Sequence, residues 1–349
     1  MKKLSLTRSA RVGAILFVSG FVAIAQVDPL SGLDDYMARA MTTFQVPGVA
    51  VAVVKDGKVV LARGYGVRKL GEAASIDEHT VFGIGSNTKA FTTAALAMLV
   101  DEGKLQWDDR VVERLPGFQM YDPYVTHEIT IRDLLSHRSG MGLGEGDLLF
   151  VAHADFTRAQ IIHQLRYMKP ASSFRSKYAY DNLLYVAAGE IIPAVTDKPW
   201  NETIRDRIFK PLGMTDSNTS VSEFRPGGDF ATPHILVEGK LTPIAPGPVD
   251  NVAPAGAINS SVSDMAKWMM TQLDGGAIGG TNVRLFSQAR GREMWSPQTI
   301  IPVGQPQGAM ALSGRISQHT VSDGTCGSIA ASKSLITRAG LPATFPRSC

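Results

Sequence analysis

Cysteine is almost missing from this chain: 349 residues hold two, Cys326 and Cys349, and residues 1–325 hold none. No disulfide framework can therefore organise that stretch. Charge is sparse at 19% while hydrophobic residues reach 44%, which excludes a disordered or acidic-tail protein. No apolar run reaches the roughly 18 residues that span a bilayer, which excludes a polytopic membrane protein. A lasting basic surplus is also lacking. Lys2, Lys3, Arg8 and Arg11 account for four charges against a formal +3, so the remainder carries a net charge of −1. A nucleic-acid binder needs a basic footprint that survives this subtraction. Solenoid repeats and low-complexity tracts are absent too, which leaves a globular chain long enough for one large domain or two small ones.

Those four basic residues precede a short apolar stretch, Val12 to Ala25, which ends in the small-x-small pattern Ala23-Ile24-Ala25. This is the layout of a secretory signal peptide cleaved after Ala25. The expectation is an exported protein, periplasmic or secreted, with no stable membrane span once residues 1–25 are removed.

Beyond that leader, Leu30, Leu33, Met37, Met41 and Phe44 recur at helical spacing. Val49–Val54 and Lys58–Val67 flank Asp56-Gly57, a strong hairpin signal. Ser86–Val100 reads as a buried helix ended by Glu102-Gly103. Further helices are expected over 131–136, 159–167, 183–195, 201–212 and 264–273, and residues 225–258 read as a long Pro- and Gly-rich loop with short strands. A lone hairpin is marginal in water, so its sheet neighbours should come from the C-terminal end.

Two clusters carry chemistry. Ser86-Asn87-Thr88-Lys89 stands where the buried helix starts, and the i, i+3 spacing puts Ser86 and Lys89 on one face. A serine hydroxyl is a weak nucleophile that needs a neighbouring base, and a lysine can be that base once burial depresses its pKa. Eleven uncharged residues follow Lys89, so its helix should be buried. The competing reading makes Ser86 a helix cap and Lys89 a solvated lysine. Downstream, Tyr180-Asp181-Asn182 places a phenol and an amide two residues apart, able to shuttle a proton and bind a carbonyl; alone it also reads as an ordinary turn.

Together these residues resemble the penicillin-recognising serine hydrolases, in particular the class C β-lactamase-like branch with its D,D-carboxypeptidases, D-aminopeptidases and esterases. The resemblance runs from about Leu33 to Ile301. It is carried by FGIGSNTKAFTTAALAMLVDEGKLQWDD (82–109), TIRDLLSHRSGM (130–141), YDNLLYVAAGEII (180–192), IFKPLGMTDS (208–217) and PAGAINSSVSDMAKWM (254–269). It implies Ser86 as acylated nucleophile, Lys89 as its activator, Tyr180 as proton shuttle and Asn182 as substrate-binding amide, with no metal or organic cofactor. It also implies an α+β fold of the β-lactamase/transpeptidase type: an antiparallel sheet flanked by helices, with a helical region inserted between the N- and C-terminal strands. Asp181 departs from the small residue usual there; a carboxylate beside Tyr180 disfavours the phenolate. Tyr178 lacks an asparagine two residues on.

Other residues are set aside. His137 is not in a G-x-S-x-G elbow, and His79, His127, His153, His163, His234 and His319 lack metal-ligand spacing. Asp108-Asp109 reads as a solvated cap, and Trp268-Met269-Met270 as an apolar core face.

The family's third motif, Lys-Thr-Gly or His-Thr-Gly on a strand beside the nucleophile, has no good counterpart: His319-Thr320-Val321 lacks the glycine and Arg338-Ala339-Gly340 the hydroxyl. Read from the third base of each codon, with synonymous codons chosen freely, His319–Gly324 can spell Tyr-Gly-Leu-Gly-Trp. Ile336–Phe345 can likewise spell His-Thr-Gly-Gly-Phe-Ala-Gly-Tyr-Val. The expectation is a hydrolase domain over 26–303, incomplete because its C-terminal strands are missing or disrupted. An aberrant tail over 304–349 follows, from a frameshift between about Pro302 and Arg315. The expected function is acyl transfer to water through an acyl-serine intermediate, on a β-lactam, a D-amino-acid peptide or an ester. The alternative is a catalytically inactive exported protein that binds peptidoglycan or a partner. The partner is a small-molecule or peptide substrate and not nucleic acid.

Overall fold

The computed structural model describes residues 30–151, 155–300, 308–311 and 314–317. The leader over 1–25, both cysteines and the two third-motif candidates lie outside them. The spacing of leucines and methionines after Pro29 gives helix α1 (Leu33–Phe44). It is tied to the hairpin that follows by Asp34, whose carboxylate accepts bonds from Arg63 at 2.7 Å and the Tyr65 hydroxyl at 2.8 Å. The hairpin is β1 (Gly48–Lys55) and β2 (Lys58–Gly66), antiparallel, with Lys55 opposite Lys58. Asp56 and Gly57 both take positive φ, 51° and 70°, which is why Asp-Gly sits at this tight turn.

Helix α2 (Thr88–Asp101) follows a single 3₁₀ turn over Gly85–Asn87, so the expected helix from Ser86 begins two residues later. Ser86 makes no side-chain cap bond, and the helix-cap reading of that serine is thereby displaced. From Phe91 to Leu99 the side chains of α2 are all buried, as an uncharged run requires. It packs against helix α3 (Leu183–Thr196), whose Leu183–Gly189 stretch is equally buried. Helix α4 (Val262–Leu273) lies on both strands of the β1–β2 hairpin. Its Trp268 is buried and stacks on Phe91 with ring centroids 4.0 Å apart, the core role read from the sequence.

Short antiparallel ladders complete the α+β fold. The strand before Ser86, β3 (Phe82–Gly83), pairs with β6 (Asn259–Ser260), and β4 (His234–Val237) pairs with β5 (Lys240–Pro243) inside the expected long loop. Strands β7 (Thr299–Ile300), β8 (Gly308–Ala311) and β9 (Gly314–Ser317) form a separate meander. The tail region thus supplies strands of its own, which do not join β1–β2. Among the described residues β1 and β2 have no third strand beside them.

Three further corrections are local. Helices Val111–Arg114, Pro123–Glu128 and Gln288–Trp295 are too short or too polar to show a period in the sequence. The expected helix over 201–212 contains a wide π turn at Arg205–Phe209. Asp108 and Asp109 are not merely solvated: Asp108 pairs with Arg132 at 2.9 Å and Asp109 with Arg114 at 2.5 Å. No described helix is long and apolar enough to cross a membrane.

Candidate active site

The segment Phe82–Gly85 enters alongside Asn259–Ser260, and the Ile84 amide donates to Ile258 at 3.0 Å. This delivers Ser86 to the surface, exposed, one turn ahead of a buried Lys89. Lys89 Nζ lies 3.1 Å from Ser86 Oγ, 2.8 Å from Asn182 Oδ1 and 2.8 Å from the Ala255 carbonyl oxygen. The Tyr180 hydroxyl donates to the same Ser86 Oγ. The four residues named from the sequence, 93 positions apart at their widest bonded contact with Lys89, therefore meet at one point. The Tyr178 ring meets the His137 ring edge-on, with centroids 5.9 Å apart.

Two contacts that bring Lys89 its backbone acceptor come from tight packing. Gly189 on α3 leaves room for Pro254, whose Cγ would stand 2.2 Å from a Cβ there, so any other residue would push the 253–256 segment away. Thr92 on α2 accepts from Trp200 Nε1 at 3.0 Å and donates to the Pro254 carbonyl at 2.7 Å. Together they hold the Ala255 carbonyl over the lysine.

Burial brings the Lys89 amine down to about 7, against the opposing pull of Asp147 and Asp181. A neutral amine has two N–H groups and one lone pair. In that form Asn182 Oδ1 and the Ala255 carbonyl would take the two hydrogens, leaving the lone pair for the Ser86 hydroxyl. The Tyr180 phenol is raised well above its ordinary range, chiefly by burial, so it stays protonated and donates. The concern over Asp181 is thus met: it is a lesser cause of that rise, and its own carboxyl is pushed up to about 7 by burial. Its Oδ1 accepts from the Leu183 and Leu184 amides at 2.8 and 3.3 Å, capping α3.

Three contributors escaped the sequence reading. Asp147 accepts at 2.9 Å from Asn182 Nδ2 and fixes which way that amide faces. It lies in the glycine-rich run 142–147, which offers no separate signal. Ala255 acts through its backbone, which no residue type announces. His137 is fully buried and stacks on the Tyr180 ring with centroids 4.5 Å apart; the missing G-x-S-x-G elbow bears only on a nucleophile's neighbour, not on this contact.

A serine hydroxyl 3.1 Å from a buried lysine whose amine burial brings down to about 7, with a phenol and an amide beside it, is an arrangement suited to acyl transfer. Family comparison agrees: the β-lactamase family model matches residues 33–327, and the chain belongs to that family. It is 32% identical over 292 residues to the unguisins hydrolase of Aspergillus campestris, covering 80% of this chain and 53% of that protein. Among solved structures, the octameric penicillin-binding protein homologue of Pyrococcus abyssi superposes with a TM-score of 0.72 at 25% identity, covering 82% of this chain and 64% of that one. The D-amino acid amidase of Ochrobactrum anthropi gives 0.64 at 26% identity, covering 80% and 76%. The chain spans about half the length of the curated relatives it matches.

Proposed function

We propose that this protein is an exported serine hydrolase working through an acyl-serine intermediate, with Ser86 as nucleophile, Lys89 as base, Tyr180 as proton shuttle and Asn182 as substrate-binding amide. One observation carries the reading: the buried Lys89 Nζ is held by Asn182 Oδ1 and the Ala255 carbonyl, each at 2.8 Å, and lies 3.1 Å from Ser86 Oγ. In the acylation step the Ser86 hydroxyl gives its proton to Lys89 while Oγ bonds to the substrate carbonyl carbon. The carbonyl–leaving-group bond then breaks, and the leaving group takes a proton through the Tyr180 phenol. Water cleaves the resulting ester, returning the proton to Ser86 and releasing the acid. The substrate class is a β-lactam, a D-amino-acid peptide or an ester; the similar structure described as a D-amino acid amidase supports an amide bond next to a D-amino acid.

Mass spectrometry after incubation with a fluorescent penicillin or an activated ester tests this. The adduct is expected on the peptide containing Ser86 and is absent from Ser86→Ala; an adduct that persists in the variant refutes the assignment. N-terminal sequencing of the protein recovered from the periplasm or medium tests export, with Gln26 expected first.

A further inference from the structure

The Tyr180–Asp181 peptide unit is held from both sides. Its carbonyl accepts from the Gly144 amide at 2.8 Å, and its N–H donates to His137 Nδ1 at 3.1 Å. His137 grips the same segment a second time: its backbone carbonyl accepts from the Ala179 amide at 3.0 Å. The imidazole face lies against the Tyr180 ring, tilted by 29°. Lys89 Nζ also lies against that ring, 4.8 Å from its centroid. We propose that His137 is the positioning residue of this site: by accepting the Asp181 amide it sets the peptide plane from which the Tyr180 phenol and the Asn182 amide reach Lys89 and Ser86. The inference rests on the serine-hydrolase reading for its link to turnover, and on geometry alone for the clamp.

The chemistry of the ring fits this role. An imidazole that accepts at Nδ1 carries its proton on Nε2. Burial, with the nearby Lys89 amine adding to it, holds His137 well below its ordinary range, so the acceptor persists. A protonated ring would carry hydrogen on both nitrogens and lose the Asp181 bond. The backbone of His137 is left-handed, φ 55°, a conformation in which histidine, asparagine and aspartate are several-fold enriched. Asparagine is therefore the substitute that keeps both the backbone and an acceptor near the Nδ1 position. Phenylalanine keeps a ring and discards the acceptor.

Four proteins decide the matter: the parent chain, Ser86→Ala, His137→Asn and His137→Phe, each checked by thermal melting. Nitrogen NMR of the parent should show one buried imidazole as the Nε2–H tautomer, unchanged down to pH 5. The Asp181 amide should exchange with solvent slowly in the parent and in His137→Asn, and at least tenfold faster in His137→Phe. Acylation by an activated ester should fall about a hundredfold in His137→Phe and no more than about tenfold in His137→Asn. An Nδ1–H tautomer, equal Asp181 exchange in parent and phenylalanine variant, or equal acylation by the two variants overturns the proposal. Should His137→Phe fail to fold, the tautomer of the parent still decides. If Ser86→Ala labels like the parent, the serine-hydrolase reading falls, while exchange and tautomer continue to judge the clamp separately.

Discussion

If acylation needs neutral Lys89, the acid limb of kcat/KM must report the amine that burial brings to about 7. Below that point the neutral fraction drops about tenfold for each pH unit, so pH 5 should leave roughly one percent of the plateau rate. Asp147 is the first of the two carboxylates that oppose this depression, because its negative charge favours the protonated amine. Asp147→Asn removes the charge yet keeps an oxygen for Asn182 Nδ2, which now bonds Asp147 Oδ1 at 2.9 Å. The sign follows: losing an anion lowers the Lys89 pKa further, raises the neutral fraction at acid pH and moves the limb downward. An opposite charge within reach shifts a pKa by about 1–3 units. Asp147 is half-buried and partly screened, so the limb should move by about 0.5–1 unit, raising the rate at pH 5.5 about three- to tenfold. Asp181→Asn should move it less, because the Asp181 carboxyl is itself pushed up to about 7 and is mostly uncharged across the acid limb. The assay is a stopped-flow acylation profile from pH 5 to 10 with an activated ester. A limb near 10, or one that stays put or rises in Asp147→Asn, refutes Lys89 as a neutral base.

What the sequence disclosed depended on how locally each feature is encoded. Asp56-Gly57 determines its turn through its own backbone, and the uncharged run after Lys89 determines burial of α2, so both were legible. The pairing of Ser86 with Lys89 was legible for the same reason, being one helical turn. The meeting of that pair with Tyr180 and Asn182 depends on α3 packing against α2, and only resemblance suggested it. Ala255 and His137 were beyond reach because what they contribute is a placement that no residue type announces: a backbone carbonyl at Lys89, a ring acceptor for the Asp181 amide. Asp133 shows the same limit. Buried outright, it takes Arg138 at 2.7 Å and Arg175 at 2.6 Å, and so joins the loop carrying His137 to the segment leading into Tyr180. Nothing in I-R-D-L-L distinguishes it from a surface aspartate.

The remaining predictions test the same architecture from other sides. Lys89→Arg should impair acylation as severely as Lys89→Ala, because a guanidinium cannot shed its proton at working pH; substantial turnover by the arginine variant would reduce Lys89 to an electrostatic role. Ser86→Ala should abolish labelling while moving the thermal midpoint little, since Ser86 forms no cap bond, and a loss as large as that of a cap, about 1 kcal/mol, would contradict the geometry. Asp133→Asn should cost about 2–4 kcal/mol by urea unfolding at pH 7, somewhat less than a fully buried pair because both arginines reach solvent. The folded-state pKa of Asp133 lies below its ordinary value, so this stabilisation is present above about pH 4 and fades as pH falls through the depressed pKa; a cost unchanged at pH 2 would be wrong. The last prediction concerns the hairpin. Strands β1 and β2 lack a third strand among the described residues, and Val59 and Val60 are 43% and 49% exposed. Unpaired edges beside apolar side chains template association. If the reading frame changes between about Pro302 and Arg315, as we propose, a gene with the frame restored after codon 302 should yield a soluble protein. That protein should label with penicillin or cleave an activated ester, and lose this on Ser86→Ala. The 349-residue chain should be the less soluble and the slower of the two; equal solubility and equal hydrolysis by both proteins would show that the cleft is complete without the restored segment.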